Sequence, residues 1–158
     1  VPAYTETEER NLRVVRQMFG EEPGPADKSL LFAEDGAWWN GLPMIPGAEG
    51  VMEHRGRDAI RNILPSQNAG RGLLPGRDSY RLETCRATDV VMIADGDWVV
   101  RQQNMTAETK LGRHYANTYC FVFRFNERGE IAYLTEHWNT WQAHRVLMNN
   151  FEVQPARP

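Results

Sequence analysis

Residues 114–139, HYANTYCFVFRFNERGEIAYLTEHWN, constrain the fold more than any other part of the chain. Two runs rich in aromatic and β-branched residues flank Asn126-Glu127-Arg128-Gly129, which has the composition of a turn, so the runs pair as an antiparallel hairpin. Alternation places Tyr115, Asn117, Tyr119, Phe121 and Phe123 on one face of the first run. The second run ends in Glu136, His137, Trp138 and Asn139. A sheet face that mixes amides, a carboxylate and aromatic rings reads as the wall of a pocket.

Helical signals come before this region. Thr5 and Glu8 have capping-box spacing, Leu12, Val15 and Phe19 recur at helical intervals, and Gly20 supplies the stop. The loop EEPGPAD follows, then a short helix over residues 29–34, a turn at Asp35-Gly36 and a brief strand over 37–40. Residues 41–56 are irregular and long enough for a lid or rim. A third helix covers 56–64 and ends at Pro65, and a second glycine-rich loop spans 66–78. Strands are expected at 80–84, 90–94 and 98–108, then the hairpin, then a last helix at 141–148 and a loose tail. With no repeat or linker, residues 1–158 form a single domain with its core at about 5–148. The order predicts an α+β fold: a curved, cone-like antiparallel or mixed sheet packed against N-terminal helices and enclosing a pocket.

Composition narrows the partners. The 158 residues are 41% hydrophobic and 25% charged, with a net charge of −3, which offers no basic surface for nucleic acid. No apolar run approaches the roughly 18 residues of a membrane span, and the acidic opening VPAYTETEER does not resemble a signal peptide, so the expected location is cytoplasmic. Cys85 and Cys120 read as reduced core residues, and the four histidines show no ligand spacing. Neither a metal nor another cofactor is expected.

The segments FAEDGAWWNG, HRGRDAIRNIL and YCFVFRFNERGEIAYLTEHWNTW, in this order of elements, resemble the SnoaL-like branch of the nuclear-transport-factor-2-like superfamily over residues 8–147. That scaffold serves ketosteroid isomerases, polyketide cyclases, scytalone dehydratases, limonene epoxide hydrolases, formaldehyde lyases of aromatic dimers, and non-catalytic proteins, so the resemblance implies a fold more firmly than a reaction. Where ketosteroid isomerases carry their base aspartate this chain has Asn40, which accepts no proton at neutral pH. Trp38, Asn40 and Pro43 resemble the water-holding motif of limonene epoxide hydrolases. The Asp-Arg-Asp set of those enzymes falls near Asn104, Gln102 and Glu136, leaving one carboxylate. The resemblance also implies an acidic catalytic group at Glu136, pocket positions for Trp38 and Trp138, and a homodimer.

The resemblance and the residues together imply a catalytic set of Glu136, Asn104, Tyr119 and Asn40. A carboxylate among Trp38, Tyr119 and Trp138 is partly desolvated, which raises its pKa toward neutrality; the alternative is a structural ion pair with Arg101 or Arg124. Gln102 and Asn104 share a strand face with Trp98 and Val100, and together with Asn117 they are expected to point inward, binding oxygens or stabilising an oxyanion, unless they simply pair with one another. Tyr119 is either a neutral acid or a core residue with a satisfied hydroxyl. Arg101 and His114 lie on the opposite parity and reach the pocket only through a bulge. His54, in the lid-like loop, reaches the cavity mouth or sits on the surface. The expected activity is a cofactor-independent acid/base lyase acting on a bulky, aromatic small molecule. An isomerase, cyclase or epoxide hydrolase is the first alternative and a non-catalytic binding protein the second.

Overall fold

A computed structural model describes residues 3–41, 52–64 and 78–147. Pro43, the body of the expected lid, the 66–77 loop and the C-terminal tail lie outside the described residues. Helix α1 (Glu6–Met18) opens on the capping box: the Thr5 hydroxyl receives the Glu8 amide while the Glu8 carboxylate takes the Thr5 N–H at 2.7 Å. Its apolar stripe buries Leu12 and Val15 against the sheet, and Gly20 leaves the helix at φ +75°.

Six strands form one sheet: β1 (Phe32–Asn40), β2 (Glu53–Arg55), β3 (Arg86–Asp95), β4 (Trp98–Glu108), β5 (His114–Phe125) and β6 (Ile131–Trp138). Their spatial order is β2-β1-β6-β5-β4-β3, antiparallel throughout except for the parallel pair β1/β6. Helix α2 (Arg57–Ile63) covers the inner face of β1, and α3 (Thr140–Leu147) buries Ala143 and Leu147. The α+β architecture with a mixed sheet is as expected.

Three local expectations are corrected. The helix at 29–34 is only the 3-10 turn Lys28–Leu31, after which the chain is already extended. Asp35-Gly36 is no turn but part of an irregularity inside β1, where the register against β6 shifts between Phe32 and Ala37. Glycine is needed there: a Cβ on Gly36 would stand 2.8 Å from the Ile131 carbonyl oxygen. Residues 80–84 are not a strand but a bridge from Tyr80 to Thr109 followed by the 3-10 turn Leu82–Thr84.

Across the inner face the registers align side chains in rows. Gln103, Tyr119 and Trp138 form one row; Arg101, Phe121, Glu136 and Asn40 form the next; Val99, Phe123, Leu134, Trp38 and His54 the third. Arg101 is fully buried in the second row. Its two terminal nitrogens take the Glu21 carboxylate at 2.9 and 2.5 Å, and its guanidinium lies 4.0 Å from the Phe19 ring centre. Both partners come from the end of α1 and the loop beyond it, so this cation ties the helix to the sheet.

Removing Glu21 would leave a cation in the core. Because Glu21 is itself partly open to water, we expect Glu21→Gln to cost about 2 kcal/mol, less than a wholly buried pair. The hydrogen bonds and charge of Arg101 hold the Glu21 carboxyl below its usual value. The stabilisation is therefore complete above the unfolded pKa of roughly 4.3 and is lost as pH falls through the lowered folded value. Urea unfolding of both proteins across that acid range should show their difference shrinking.

Candidate active site

The cavity lies between α1, α2 and the inner face of the sheet, with a volume of about 380 Å³. Its wall is mostly apolar, with Phe19, Phe121, Leu134 and Met105 among its lining groups, and its polar groups are few. A largely apolar recess with convergent polar groups is the usual form of a small-molecule site.

Glu136 lines this cavity and is buried. Parallel pairing of β1 with β6 sets Asn40 beside Glu136 and Trp38 two residues behind, on the same face. The Glu136 Oε2 accepts from Asn40 Nδ2 at 2.7 Å and from Trp38 Nε1 at 3.1 Å. Arg101 pairs with Glu21, and Arg124 is exposed on the outer face. Asn40 and Glu136 touch directly, so no water fits between those two atoms.

Tyr119 and Trp138 also line the cavity, with their rings stacked at 5.4 Å. The Tyr119 hydroxyl is 2.7 Å from that of Tyr115 and 3.4 Å from that of Tyr80, which brings three phenols together behind the wall. Burial, first of all, pushes the Tyr119 phenol well above its ordinary value, and the nearby Tyr80, Tyr115 and Glu136 charges act in the same direction. Tyr119 thus stays a protonated hydrogen-bond donor. Tyr115 is raised as well, chiefly by burial.

Several expected positions fall elsewhere. Gln102 and Asn104 do share a face with Trp98 and Val100, but it is the outer one: Gln102 is exposed, and Asn104 donates to Asp89 at 2.8 Å and accepts from Thr118. The inner positions of β4 are Arg101 and Gln103, reached with no bulge against β5. Arg101 lies behind the cavity wall. His114 is exposed at the start of β5. Asn117 is on the inner face but beyond the cavity, bonded to the Tyr115 hydroxyl and to the backbone of Asn139. His54 is buried rather than on the surface, beside Trp38 but outside the cavity lining, and burial lowers its pKa, which favours the neutral ring.

Three polar cavity residues escaped the sequence reading. Gln103 was hidden because VVRQQNMT carries polar residues on both faces. The tight turn at 110–112, which pairs odd positions of β4 with odd positions of β5, was the signal that could have found it. Tyr80 was assigned to a strand that does not exist. Lys28 adds one positive group to the lining. Among the described residues, no cluster of His, Cys, Asp or Glu is arranged to hold a metal ion, and no helix is long and apolar enough to cross a membrane.

Spectrophotometric titration checks the hydroxyl cluster. The wild-type protein should retain a phenol that ionises only above the ordinary tyrosine range, and Tyr119→Phe should remove that last step. A titration unchanged by Tyr119→Phe would contradict the burial argument.

The family model for the SnoaL-like domain matches residues 26–134. No protein of curated function matches the sequence. Among solved structures, a Bacillus subtilis protein provisionally named an isomerase superposes with a TM-score of 0.66 at 15% identity, covering 90% of this chain and 95% of that one. TerC, co-crystallised with polyporic acid, gives 0.63 at 15% identity over 87% and 97% of the two chains. A Mycobacterium tuberculosis epoxide hydrolase resembling the limonene enzyme gives 0.59 at 13% over 89% and 90%. At these identities the likeness is one of fold.

Proposed function

Since the chain belongs to the SnoaL-like family, within the nuclear-transport-factor-2-like fold, we propose that its cavity is the active site of a cofactor-independent acid/base enzyme. The reaction we favour is an elimination, a lyase activity, on a flat aromatic small molecule. One observation carries this reading: a buried carboxylate, Glu136, stands in the wall of an apolar cavity with one oxygen oriented by Trp38 and Asn40.

The proposed step is balanced with protein groups alone. Glu136 takes a proton from the carbon next to the benzylic position. The freed electron pair forms a carbon–carbon double bond, and the benzylic substituent departs with its own bonding pair. The protonated Glu136 then returns the proton to the departing oxygen, so the net change is elimination of an alcohol or water. A ring with a para hydroxyl would share the electron deficiency that develops at the benzylic carbon as the substituent departs, and Tyr119, held protonated, can donate to an oxygen that gains charge. The stacked rings of Tyr119 and Trp138 offer a flat surface for such a substrate.

Epoxide hydrolysis is less well supported, because Asn40 and Glu136 are in direct contact and the other two positions of that catalytic set, Gln102 and Asn104, face outward. A binding protein without turnover remains the alternative of another class. We further propose a homodimer through the outer face, where Val91, Ile93 and Trp98 are 54%, 59% and 49% exposed on adjoining strands. A second copy of the chain is the proposed occupant, consistent with the aromatic and aliphatic makeup of this patch.

Glu136→Gln keeps the shape and removes the proton acceptor. Turnover of a hydroxylated or methoxylated two-ring phenol should fall by roughly 10² or more while circular dichroism is unchanged. Retention of activity within about threefold would exclude Glu136 as the acid/base group, given the usual size of that contribution. Sedimentation of Ile93→Asp should show monomers where the parent sediments as dimers; an unchanged dimer would place the interface elsewhere.

A further inference from the structure

We infer that Gln103, fixed from behind by Arg101, presents a committed amide donor to the cavity beside the Tyr119 hydroxyl and so selects ligands that present an acceptor oxygen there: a phenolate, an enolate or a quinone carbonyl. The inference rests on the reading of the cavity as a substrate site and specifies the chemistry recognised there.

Gln103 and Tyr119 are direct partners in the β4/β5 register, and both line the cavity. Directly opposed residues on one face have Cβ atoms about 5 Å apart, close enough for two side chains to meet one ligand atom. A glutamine amide can in principle donate or accept. Here the choice is made by Arg101, whose Nε donates to Gln103 Oε1 at 2.7 Å. A guanidinium has no acceptor, so the amide oxygen must face it and the amide nitrogen is committed to donation. Arg101 cannot turn away, because Glu21 grips its other nitrogens, and Gln103 is itself 4% exposed.

The neighbouring Tyr119 hydroxyl belongs to a second network. Asn117 Oδ1 accepts the backbone N–H groups of Thr118 and Asn139 at 2.8 and 3.1 Å, which fixes its Nδ2 as a donor to the Tyr115 hydroxyl at 2.7 Å. Tyr115 accepts from Asn117 and shares a hydrogen bond of 2.7 Å with the Tyr119 hydroxyl, in which either oxygen can be the donor. Tyr80 lies 3.4 Å from the same Tyr119 oxygen. A phenol both donates and accepts, so Tyr119 can adjust to the ligand while the Gln103 amide cannot. Asn117 and Arg101, both assigned by sequence to substrate contact, act instead as positioning residues. A hydroxyl donor on the ligand would find no acceptor at the Gln103 amide nitrogen.

4-Nitrophenol is the probe, because its visible phenolate band reports ionisation without turnover. Titrating its absorbance against pH at saturating protein gives the preference for phenolate over phenol. Relative to Gln103→Leu, the wild-type protein should hold the phenolate about tenfold more strongly, a downward displacement of the bound probe's pKa by about one unit. Gln103→Glu, which keeps the bond to Arg101 but presents a carboxylate oxygen, should disfavour phenolate by at least as much as the leucine variant, so the test survives if Gln103→Leu fails to fold. Equal ratios in wild type, Gln103→Leu and Gln103→Glu, or no saturable binding to the wild-type protein, would overturn the assignment. The measurement is repeated in Glu136→Gln, where the tenfold preference should persist. Equal ratios with turnover still dependent on Glu136 would remove the donor site and leave the acid/base reading standing. A preserved preference with turnover independent of Glu136 would do the reverse.

Discussion

A buried guanidinium organises this molecule. Arg101 has no exposed surface, and a cation in that position is tolerated only if a carboxylate and further acceptors satisfy it. Glu21 supplies the charge, the Phe19 face covers the plane, and the Gln103 oxygen takes the remaining Nε–H. These partners come from the end of α1, from the loop after it and from the strand itself. One satisfied charge thus fixes where the first helix stops, how closely it approaches the sheet, and which end of a neighbouring amide meets the cavity. A hydrophobic residue at 101 could pack as well but could not dictate the direction of a hydrogen bond.

The proposed catalytic carboxylate depends on a different constraint, the parallel insertion of β1 beside β6. A meander of β3 to β6 alone would present Glu136 on its edge strand. Pairing with β1 delivers Trp38 and Asn40 as two N–H donors to a single oxygen of that carboxylate. The irregularity at Gly36 makes this possible by shifting the strand midway, so that its first half follows one register and its second half another. Fold and site geometry meet at this glycine.

Much of the architecture was readable before any coordinates. The capping box of α1, the full extent of β4, the β5/β6 hairpin and the inner parity of Tyr115, Asn117, Tyr119 and Phe121 each rest on a local pattern with one strong solution. The placement of Glu136 beside Trp38 and Trp138 came through the resemblance. Other features resisted for identifiable reasons. In β4, arginine and glutamines occupy both faces, so hydrophobic alternation could not say which is inside; only the register imposed by the following turn decides it. Asp35-Gly36 has turn composition, yet here it serves a strand irregularity under tertiary pressure from Ile131. For Asn117 the face was correct, but its side chain is consumed by hydroxyl and backbone partners that only the folded structure brings near.

The Asn40–Glu136 hydrogen bond joins residues 96 positions apart, and the Trp38–Glu136 bond spans 98. Local hairpins such as β5/β6 can form early, because the loops they close are short, whereas contacts of this separation must await closure of nearly the whole chain. The two halves of the proposed site therefore come together only as the sheet becomes complete. Any partly folded form that keeps the meander but lacks β1 would present Glu136 without the donors that orient it. The chemical competence proposed for this protein is accordingly a late product of folding, and it would disappear with the loosening of a single strand.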